Sequence, residues 1–164
     1  MKELYLIGGT MGVGKTTICQ ELKKELSNCV FLDGDWCWDA NPFIVNEETK
    51  KMVVQNICFM INQFIHCSSY ENIVFCWVMH EQDIIDTIID NIDKTSCNLK
   101  VISLVCSENT LFEHLEKDIQ TGIRTRDVVK RSLERLPLYE KLETQKVYID
   151  GKSISQIVSQ IKML

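Results

Sequence analysis

The sequence predicts an α/β fold, in which a parallel β-sheet forms the middle of three layers and helices cover both of its faces. Three observations support this prediction. Short apolar runs of strand length alternate with longer segments whose apolar residues recur at helical spacing. A glycine-rich segment joins the first run to the first helix. The run Ile73–Met79 is apolar throughout, which is typical of a strand buried on both faces. Alternating strands and helices favour right-handed crossovers, and these produce a parallel sheet.

The individual elements follow from local signals in chain order. Predicted strands cover Lys2–Ile7, Cys29–Leu32, Ile73–Met79, Leu99–Cys106 and Lys146–Ile149. Predicted helices cover Thr17–Leu26, Asn46–Cys67, Asp83–Asp93, the segment after Ser107, the segment around Arg131 and Arg135, and the segment after Ser153. Asn46, Ser107 and Ser153 are suitable N-caps. Apolar residues surround the second helix, so we expect most of it to be buried, with its Met and Phe residues in the core.

Length and composition fit one domain spanning residues 1–164 and limit the possible functions. The chain is 45% apolar and carries a net charge of −5, with basic residues concentrated in one local cluster. Nucleic acid is therefore excluded as the main partner. The first apolar run is too short for a signal peptide or a membrane span. The eight cysteines are scattered and lack a Cys-x-x-Cys pair, which argues against a metal site built from them. No protein partner is indicated.

The segment from Gly9 to Thr16 has the pattern G-x-x-x-x-G-K-T between a predicted strand and a predicted helix. Glycines let such a loop turn its backbone N–H groups into one concavity, and the following helix adds its positive dipole end. The pattern predicts an ATP site in which Lys15 reaches the β- and γ-phosphates and Thr16 ligates Mg²⁺. The predicted ATP-binding residues are Gly9, Thr10, Met11, Gly12, Val13, Gly14, Lys15, Thr16 and Thr17. Together with this cytosolic type of nucleotide site, the scattered cysteines are interpreted as reduced, buried thiols, and we expect a cytoplasmic location.

Two carboxylates follow the second predicted strand, in the segment Asp33-Gly34-Asp35. The carboxyl ends of strands are where open α/β sheets bind ligands. We therefore expect one carboxylate, Asp33, near Mg²⁺ and the other, Asp35, near the acceptor. The alternative is an acidic turn, because Asp-Gly-Asp is favourable turn chemistry.

Four further residues are candidates for the acceptor site. Trp36 and Trp38 lie in a segment broken by a proline, and they either wall an acceptor pocket or cover the edge of the sheet. His80 and Glu81 follow the third strand. If that strand lies beside the first, both residues emerge near the phosphate loop, where Glu81 can position magnesium-bound water and His80 can contact the acceptor. The alternative is that both only begin the next helix.

A basic cluster near residues 118–132 predicts a mobile lid. Arg124, Arg126 and Arg131 lie in an otherwise acidic chain, on a loop and on the helix that follows it. Arginines in such a segment are suited to closing over phosphates. The alternative is a solvated helix face with local ion pairs. His114, on the preceding helix, is interpreted as a surface residue and not as a ligand.

These motifs together resemble those of the small P-loop kinases. The segment Phe31–Asp35 is similar to one in gluconate kinases, and its D-x-D pattern is also similar to that of shikimate kinases and adenylylsulfate kinases. The spacing Arg135-x-x-x-Tyr139 is similar to that of nucleoside monophosphate kinases. The resemblance implies a nucleotide-kinase-like P-loop NTPase fold with a five-stranded parallel sheet in the order 2-3-1-4-5. It also implies ATP, Mg²⁺ and phosphoryl transfer to a small acceptor.

By the same resemblance, Asp33 lies near Mg²⁺ and Asp35 takes the proton of the acceptor hydroxyl. The chain departs from these families at the acceptor site. It has Trp36-Cys37-Trp38 where gluconate kinases have a His-Pro segment, and Val78–Glu81 where shikimate kinases have three glycines. Neither family's acceptor can therefore be carried over to this chain.

The predicted function is an ATP-dependent phosphotransferase that moves the γ-phosphate of ATP to a hydroxyl of a small molecule. The residues predicted to act in catalysis are Lys15, Asp35, Arg124, Arg126 and Arg131. One alternative is a nucleoside or nucleotide kinase in which Trp36 or Trp38 stacks on a base. Another is a non-catalytic nucleotide-binding module, because the third strand does not end in an aspartate.

Overall fold

The computed structural model describes residues 1–164 and contains five strands and six α-helices. The strands are β1 Lys2–Gly8, β2 Cys29–Asp33, β3 Asn72–Trp77, β4 Cys97–Val105 and β5 Gln145–Tyr148. The helices are α1 Lys15–Glu25, α2 Glu47–His66, α3 Gln82–Asp90, α4 Glu108–Gln120, α5 Asp127–Arg135 and α6 Ile154–Lys162. Short 3₁₀ helices cover Gly34–Cys37, Lys94–Ser96 and Leu136–Lys141.

The five strands form one sheet in the order β2-β3-β1-β4-β5, and every neighbouring pair is parallel. This confirms the predicted order and strand direction. Parallel pairing places the carboxyl ends of all strands at one edge of the sheet. In the register, Gly8 pairs with Trp77 and Asp33 pairs with Cys76. The phosphate loop, the Asp33-Gly34-Asp35 segment and the end of β3 are therefore neighbours.

Side chains of the central strand alternate between two hydrophobic clusters, one on each face of the sheet. Leu4 and Leu6 pack in a cluster with residues of α2 and α3. Tyr5 and Ile7 pack in a second cluster with residues of α1 and α6. This alternation is what a strand geometry of period two produces when helices cover both faces. The predicted three-layer arrangement is confirmed.

The prediction that α2 is mostly buried is wrong. Its buried residues are Val53, Ile57, Cys58, Ile61 and Ile65. Met52 and Phe59 are exposed, although both were expected in the core. The physical reason is that one side of α2 packs on the sheet and on α3, whereas no other element covers its opposite side. Apolar residues around a helix thus do not by themselves show that the helix is enclosed.

The predicted helix starts are confirmed by capping contacts. Asn46 and Ser153 each form a capping box, and the Ser107 side chain accepts a hydrogen bond from the backbone N–H of Thr110. No helix of the chain combines the length and the hydropathy needed to cross a membrane.

Candidate functional site

The loop between β1 and α1 has the backbone geometry that its glycines permit. Gly12 and Gly14 have φ angles of 85° and 105°, which side chains larger than hydrogen rarely adopt. A Cβ atom at Gly12 would also lie 2.5 Å from Cδ2 of Leu115, on α4. Helix α1 begins at Lys15, directly after the loop, so its unpaired N–H groups and positive dipole end open onto the loop. This arrangement is suited to anion binding.

The ammonium of Lys15 folds back over the loop. Its Nζ donates to the carbonyl oxygens of Gly9 at 2.7 Å and Thr10 at 3.0 Å. Burial lowers the pKa of Lys15 to about 8, because a desolvated ammonium is less stable than a solvated one. The negative charges of Asp33 and Asp35 oppose this shift, whereas Arg124 reinforces it. An anion bound at the loop would stabilise the charged form of Lys15 and raise its pKa.

Asp33, at the end of β2, connects the phosphate loop to the following turn. Its Oδ2 accepts a hydrogen bond of 2.8 Å from the Thr16 hydroxyl. Its Oδ1 accepts a hydrogen bond of 3.0 Å from the backbone N–H of Asp35, which caps the 3₁₀ helix Gly34–Cys37. The two interpretations of this segment, a structural turn and a functional site, are therefore compatible. One carboxylate oxygen stabilises the turn while the other lies against the hydroxyl predicted to bind Mg²⁺.

The carboxylate of Asp35 extends into the same site from the first turn of the 3₁₀ helix. Partial burial raises its pKa, and the neighbouring charge of Asp33 raises it further. The charges of Lys15 and Arg124 and a hydrogen bond from the Trp77 side chain act in the opposite direction. Asp35 is thus a more basic carboxylate than an ordinary aspartate.

One cavity of about 600 Å³ contains most of the predicted site residues. They are Met11, Gly12, Val13, Gly14, Lys15, Thr16, Thr17, Asp33, Asp35 and Arg124. Gly9 and Thr10 belong to the same loop but do not line the cavity. The Thr10 hydroxyl instead donates to the carbonyl of Ser132 at 2.8 Å, so it ties the loop to α5.

The cavity also has walls that the sequence did not indicate. Trp77 lies at the end of β3, and the would-be Cβ of Gly34 is only 2.5 Å from its ring atom Cγ. Lys117 on α4 and Lys152 after β5 add two cations. Trp77 is the last residue of β3 and Lys152 lies shortly after β5, so the rule that ligands bind at the carboxyl ends of parallel strands could have identified both. Lys117 belongs in the sequence to the same basic cluster as Arg124, but its place at the cavity wall depends on how α4 packs.

The interpretation of His114 as a surface residue is wrong. His114 lines the cavity, and its Nδ1 lies 3.0 Å from the carbonyl oxygen of Gly12. Since a carbonyl only accepts, Nδ1 carries the proton in this contact. The reason for the misinterpretation is that the neighbouring Leu111 and Leu115 pack beneath the phosphate loop, which brings the polar residue between them to the cavity wall.

The three arginines of the basic cluster occupy different surroundings. Arg124 lines the cavity, and its Nε donates to Asp118 at 3.0 Å. Arg126 is exposed and forms a two-pronged ion pair with Glu116. Arg131 lies on the exposed side of α5. Arg124 fits the lid prediction, whereas the surface pair of Arg126 fits the solvated-face alternative.

The remaining acceptor-site candidates lie outside this cavity. Trp36 and Trp38 line a separate cleft beside it. His80 directs Nδ1 at the carbonyl of Val78, 3.0 Å away, and its Nε2 lies 3.5 Å from the carboxylate of Glu81. These two residues contact each other just before α3 and do not line the cavity.

Comparison with known proteins places the chain in a family. Residues 6–136 match the family AAA_18, described as an AAA domain, and this range is well over half of the chain. The chain belongs to this AAA domain family. A search of curated proteins finds no matching sequence.

Solved structures show what kind of fold this AAA domain has. It is similar to a gluconokinase from Sinorhizobium meliloti 1021, with a TM-score of 0.72, 16% identity, and coverage of 97% of this chain and 89% of that chain. It is also similar to a tunicamycin resistance protein from Deinococcus radiodurans, with a TM-score of 0.74, 16% identity and coverage of 99% and 95%. A third similar structure is a shikimate kinase from Aquifex aeolicus, with a TM-score of 0.63, 14% identity, and coverage of 98% of this chain and 94% of that chain. The predicted P-loop kinase fold is confirmed.

Proposed function

We propose that the protein is an ATP-dependent kinase that phosphorylates a hydroxyl of a small molecule. The observation that carries this proposal is the shared position of Lys15 and Asp35. One cavity is lined by the cation of a phosphate loop and by a carboxylate of raised pKa, and the hydrogen-bonded pair Thr16–Asp33 lines the same cavity. The fold shared with several solved kinases supports the same function.

ATP would bind with its phosphates on the loop Met11–Thr17. Backbone N–H groups of the loop and of the first turn of α1 would donate to the phosphate oxygens. Lys15 would exchange its contacts to the Gly9 and Thr10 carbonyls for contacts to phosphate. Lys117 and Lys152 line the same cavity and would complement the remaining charge of the nucleotide.

The residues present fit a magnesium ion. Mg²⁺ prefers oxygen ligands and is usually held by one or two carboxylates together with water and substrate phosphates. The Thr16 hydroxyl and an Asp33 oxygen are 2.8 Å apart at the phosphate loop, and both are suitable ligands. When bound, the ion would neutralise negative charge on the phosphates. One oxygen of Asp33 would ligate the ion while the other continues to accept the hydrogen bond from the backbone N–H of Asp35.

Asp35 would act on the acceptor. The acceptor oxygen forms a bond to the γ-phosphorus while the bond from that phosphorus to the β,γ-bridging oxygen breaks, and ADP leaves with the electron pair. The hydroxyl proton passes to the Asp35 carboxylate and then to solvent. A positioned base of this kind contributes about 10²–10⁴-fold to the rate. Lys15 and Arg124 would stabilise the charge of the transferring group.

We also propose that residues 118–132 form a lid over the phosphates. Arg124 already lies at the cavity, and Arg126 and Arg131 would join it only if the segment moved. For Arg126, such a movement would break the ion pair with Glu116, whose arginine end is largely exposed. Exposed ion pairs contribute about 0–1 kcal/mol, so this contact is a small obstacle to closure.

A screen of hydroxylated compounds by ADP release tests the proposed function. We expect one class of acceptor to stimulate ADP formation, and Lys15→Ala to lower the rate by roughly 10²–10³-fold, as the loss of one transition-state donor does. Lys24→Ala is a matched control, because Lys24 is also on α1 but pairs only with the exposed Glu21. ATP binding without stimulation by any acceptor would favour the non-catalytic alternative.

The nucleoside kinase alternative has one observation in its favour. Trp36 is 60% exposed, so one face of its indole is available to a base. Trp38 is less suitable, because Phe43 already stacks on it at a ring distance of 4.2 Å. Stimulation of ADP release by nucleosides alone would establish this narrower function.

A further inference from the structure

A second cleft, of about 620 Å³, lies beside the catalytic cavity and has aromatic walls. Trp36, Trp38, Pro42, Ile44 and Met52 supply its apolar surface. The 3₁₀ helix Gly34–Cys37 contributes residues to both the cleft and the cavity. Asp35 at the second position of that helix lines the cavity, and the next residue, Trp36, lines the cleft.

The walls of this aromatic cleft are held in place. The rings of Trp36 and of Phe31 on β2 form a T-shaped pair with a centroid distance of 5.3 Å. The side-chain amide of Asn56 on α2 donates to the carbonyl of Cys37 at 3.1 Å, which fixes the turn to that helix. The indole of Trp36 is nevertheless 60% exposed, and Ile44 and Met52 are also exposed. A preformed apolar cleft with a few polar groups is the usual form of a small-molecule site.

The charged residues of the stretch 33–49, which supplies every residue of the aromatic cleft except Met52, are all negative. The stretch 33–49 contains Asp33, Asp35, Asp39, Glu47 and Glu48 and no lysine, arginine or histidine. Asp39 lines the cleft itself, and no cation does. The nearest basic residues in the sequence, Lys50 and Lys51, line a different pocket, whose wall also includes Thr87 of α3.

The catalytic cavity has the opposite character. Lys15, Lys117, Arg124 and Lys152 all line it, on the side of the phosphate loop, of α4 and of the turn after β5. The two compartments therefore differ in the ligands that they can recognise. Anionic groups fit the cavity, whereas in the aromatic cleft a carboxylate or phosphate would meet Asp39 without a compensating cation.

We propose that the aromatic cleft holds the body of the acceptor, and that this acceptor is a hydroxylated small molecule with a flat apolar body and no negatively charged group. This inference rests on the proposed kinase function, because it names the substrate class of the same site. The hydroxyl reaches Asp35 across the 3₁₀ turn while the body packs on Trp36. A cationic group on the acceptor faces Asp39 and can also contact the indole.

Three probes with one common skeleton test this inference. They are 1,4-benzenedimethanol, 4-(hydroxymethyl)benzylamine and 4-(hydroxymethyl)phenylacetate, which carry a neutral, a cationic and an anionic group, each on a ring methylene, opposite the hydroxymethyl group. Binding is measured without ATP on the full chain, by NMR of the tryptophan indole N–H groups. We expect the neutral and cationic probes to shift the Trp36 signal and the phenylacetate to bind at least about tenfold more weakly.

Variants identify the site. Because Trp36 is largely exposed, Trp36→Ala should keep the fold and abolish binding, as followed on the probe's own signals. Phe59→Ala is the matched control, since Phe59 is an equally exposed aromatic on α2 outside the aromatic cleft, and it should change nothing. Asp39→Asn should reduce the affinity of the cationic probe and leave that of the neutral probe unchanged.

Four results would overturn the inference. They are equal or tighter binding of the phenylacetate, unchanged binding in Trp36→Ala, failure of all three probes to bind, and a self-association of the protein that Trp36→Ala abolishes. The last would show that a second copy covers this face. Failure of the kinase function looks different: probes would bind through Trp36, but no acceptor would stimulate ADP release. Phosphorylation of an anionic acceptor at an unchanged rate in Trp36→Ala would refute the inference and leave the kinase function intact.

Discussion

Lys15 provides a prediction whose size follows from the structure. Its pKa is lowered to about 8 by burial, so at pH 8 about half of the free protein carries a neutral Lys15 amine. Bound phosphates favour the charged form and should raise this pKa to at least its ordinary value near 10.4. Binding of ATP and Mg²⁺ should therefore take up about 0.5 proton at pH 8 and only about 0.1 proton at pH 7.

The same shift determines how ATP affinity depends on pH. Since only the protonated form binds phosphate well, affinity should fall as pH rises through the pKa of the free protein. Between pH 7 and pH 9 the expected loss is about tenfold, or about 1.4 kcal/mol. Titration calorimetry in buffers of different ionisation enthalpy measures the proton uptake directly, and the same titrations give the affinity.

Two variants serve as controls for this measurement. Lys15→Arg keeps a charge that does not titrate, so any binding that it retains should occur without proton uptake. Lys24→Ala should keep the full uptake, because Lys24 is exposed at the other end of α1. Equal uptake at pH 7 and pH 8, or an affinity unchanged up to pH 9, would refute the burial of Lys15 or its contact with phosphate.

Two further predictions concern the turn and the lid. Gly34→Ala would place a Cβ 2.5 Å from Cγ of Trp77 and should destabilise the protein by about 1–3 kcal/mol in urea unfolding. In Gly8→Ala the new Cβ would make only ordinary contacts of 3.6 Å or more, so this variant should lose much less unfolding free energy. Equal losses in the two variants would contradict the close packing of Gly34 against Trp77. In hydrogen exchange, residues 118–132 should exchange faster than the sheet and become protected on addition of ATP and Mg²⁺. Identical exchange with and without ligand would favour the solvated-face alternative for the arginines.

Much of the fold could be predicted from local signals. Apolar runs located the five strands to within two residues at every end, and cap residues such as Asn46 and Ser153 marked the helix starts. The strand order could not be predicted from local signals, because neither periodicity nor spacing determines which strands pair. It came from the resemblance to P-loop kinases, and the pairing of β1 with β3 and β4 confirms it.

The site could be predicted only where a motif of the backbone defines it. The phosphate loop has a fixed glycine and lysine spacing, and Asp33 follows a strand that the fold places beside it. His114 and Lys117 reach the cavity through the packing of Leu111 and Leu115 beneath Gly12, and such long-range packing leaves no local pattern. The exposed side of α2 was missed for the same reason, since burial depends on which elements cover a helix.

The division of labour between the two aspartates is the central claim. In the proposed function, Asp33 would hold Mg²⁺ while stabilising the turn, and Asp35 would act on the acceptor. The variant Asp35→Asn keeps size and polarity but removes the negative charge and the basicity. Once the screen has identified an acceptor, the most direct measurement is ATP affinity and acceptor phosphorylation in this variant.

We expect Asp35→Asn to leave ATP affinity within about threefold, or roughly 0.7 kcal/mol, while phosphorylation of the acceptor stops. A loss of ATP affinity as large as that of Lys15→Ala would place Asp35 in the magnesium site and contradict the claim. Unchanged affinity together with unchanged turnover would show that Asp33-Gly34-Asp35 is only a structural turn.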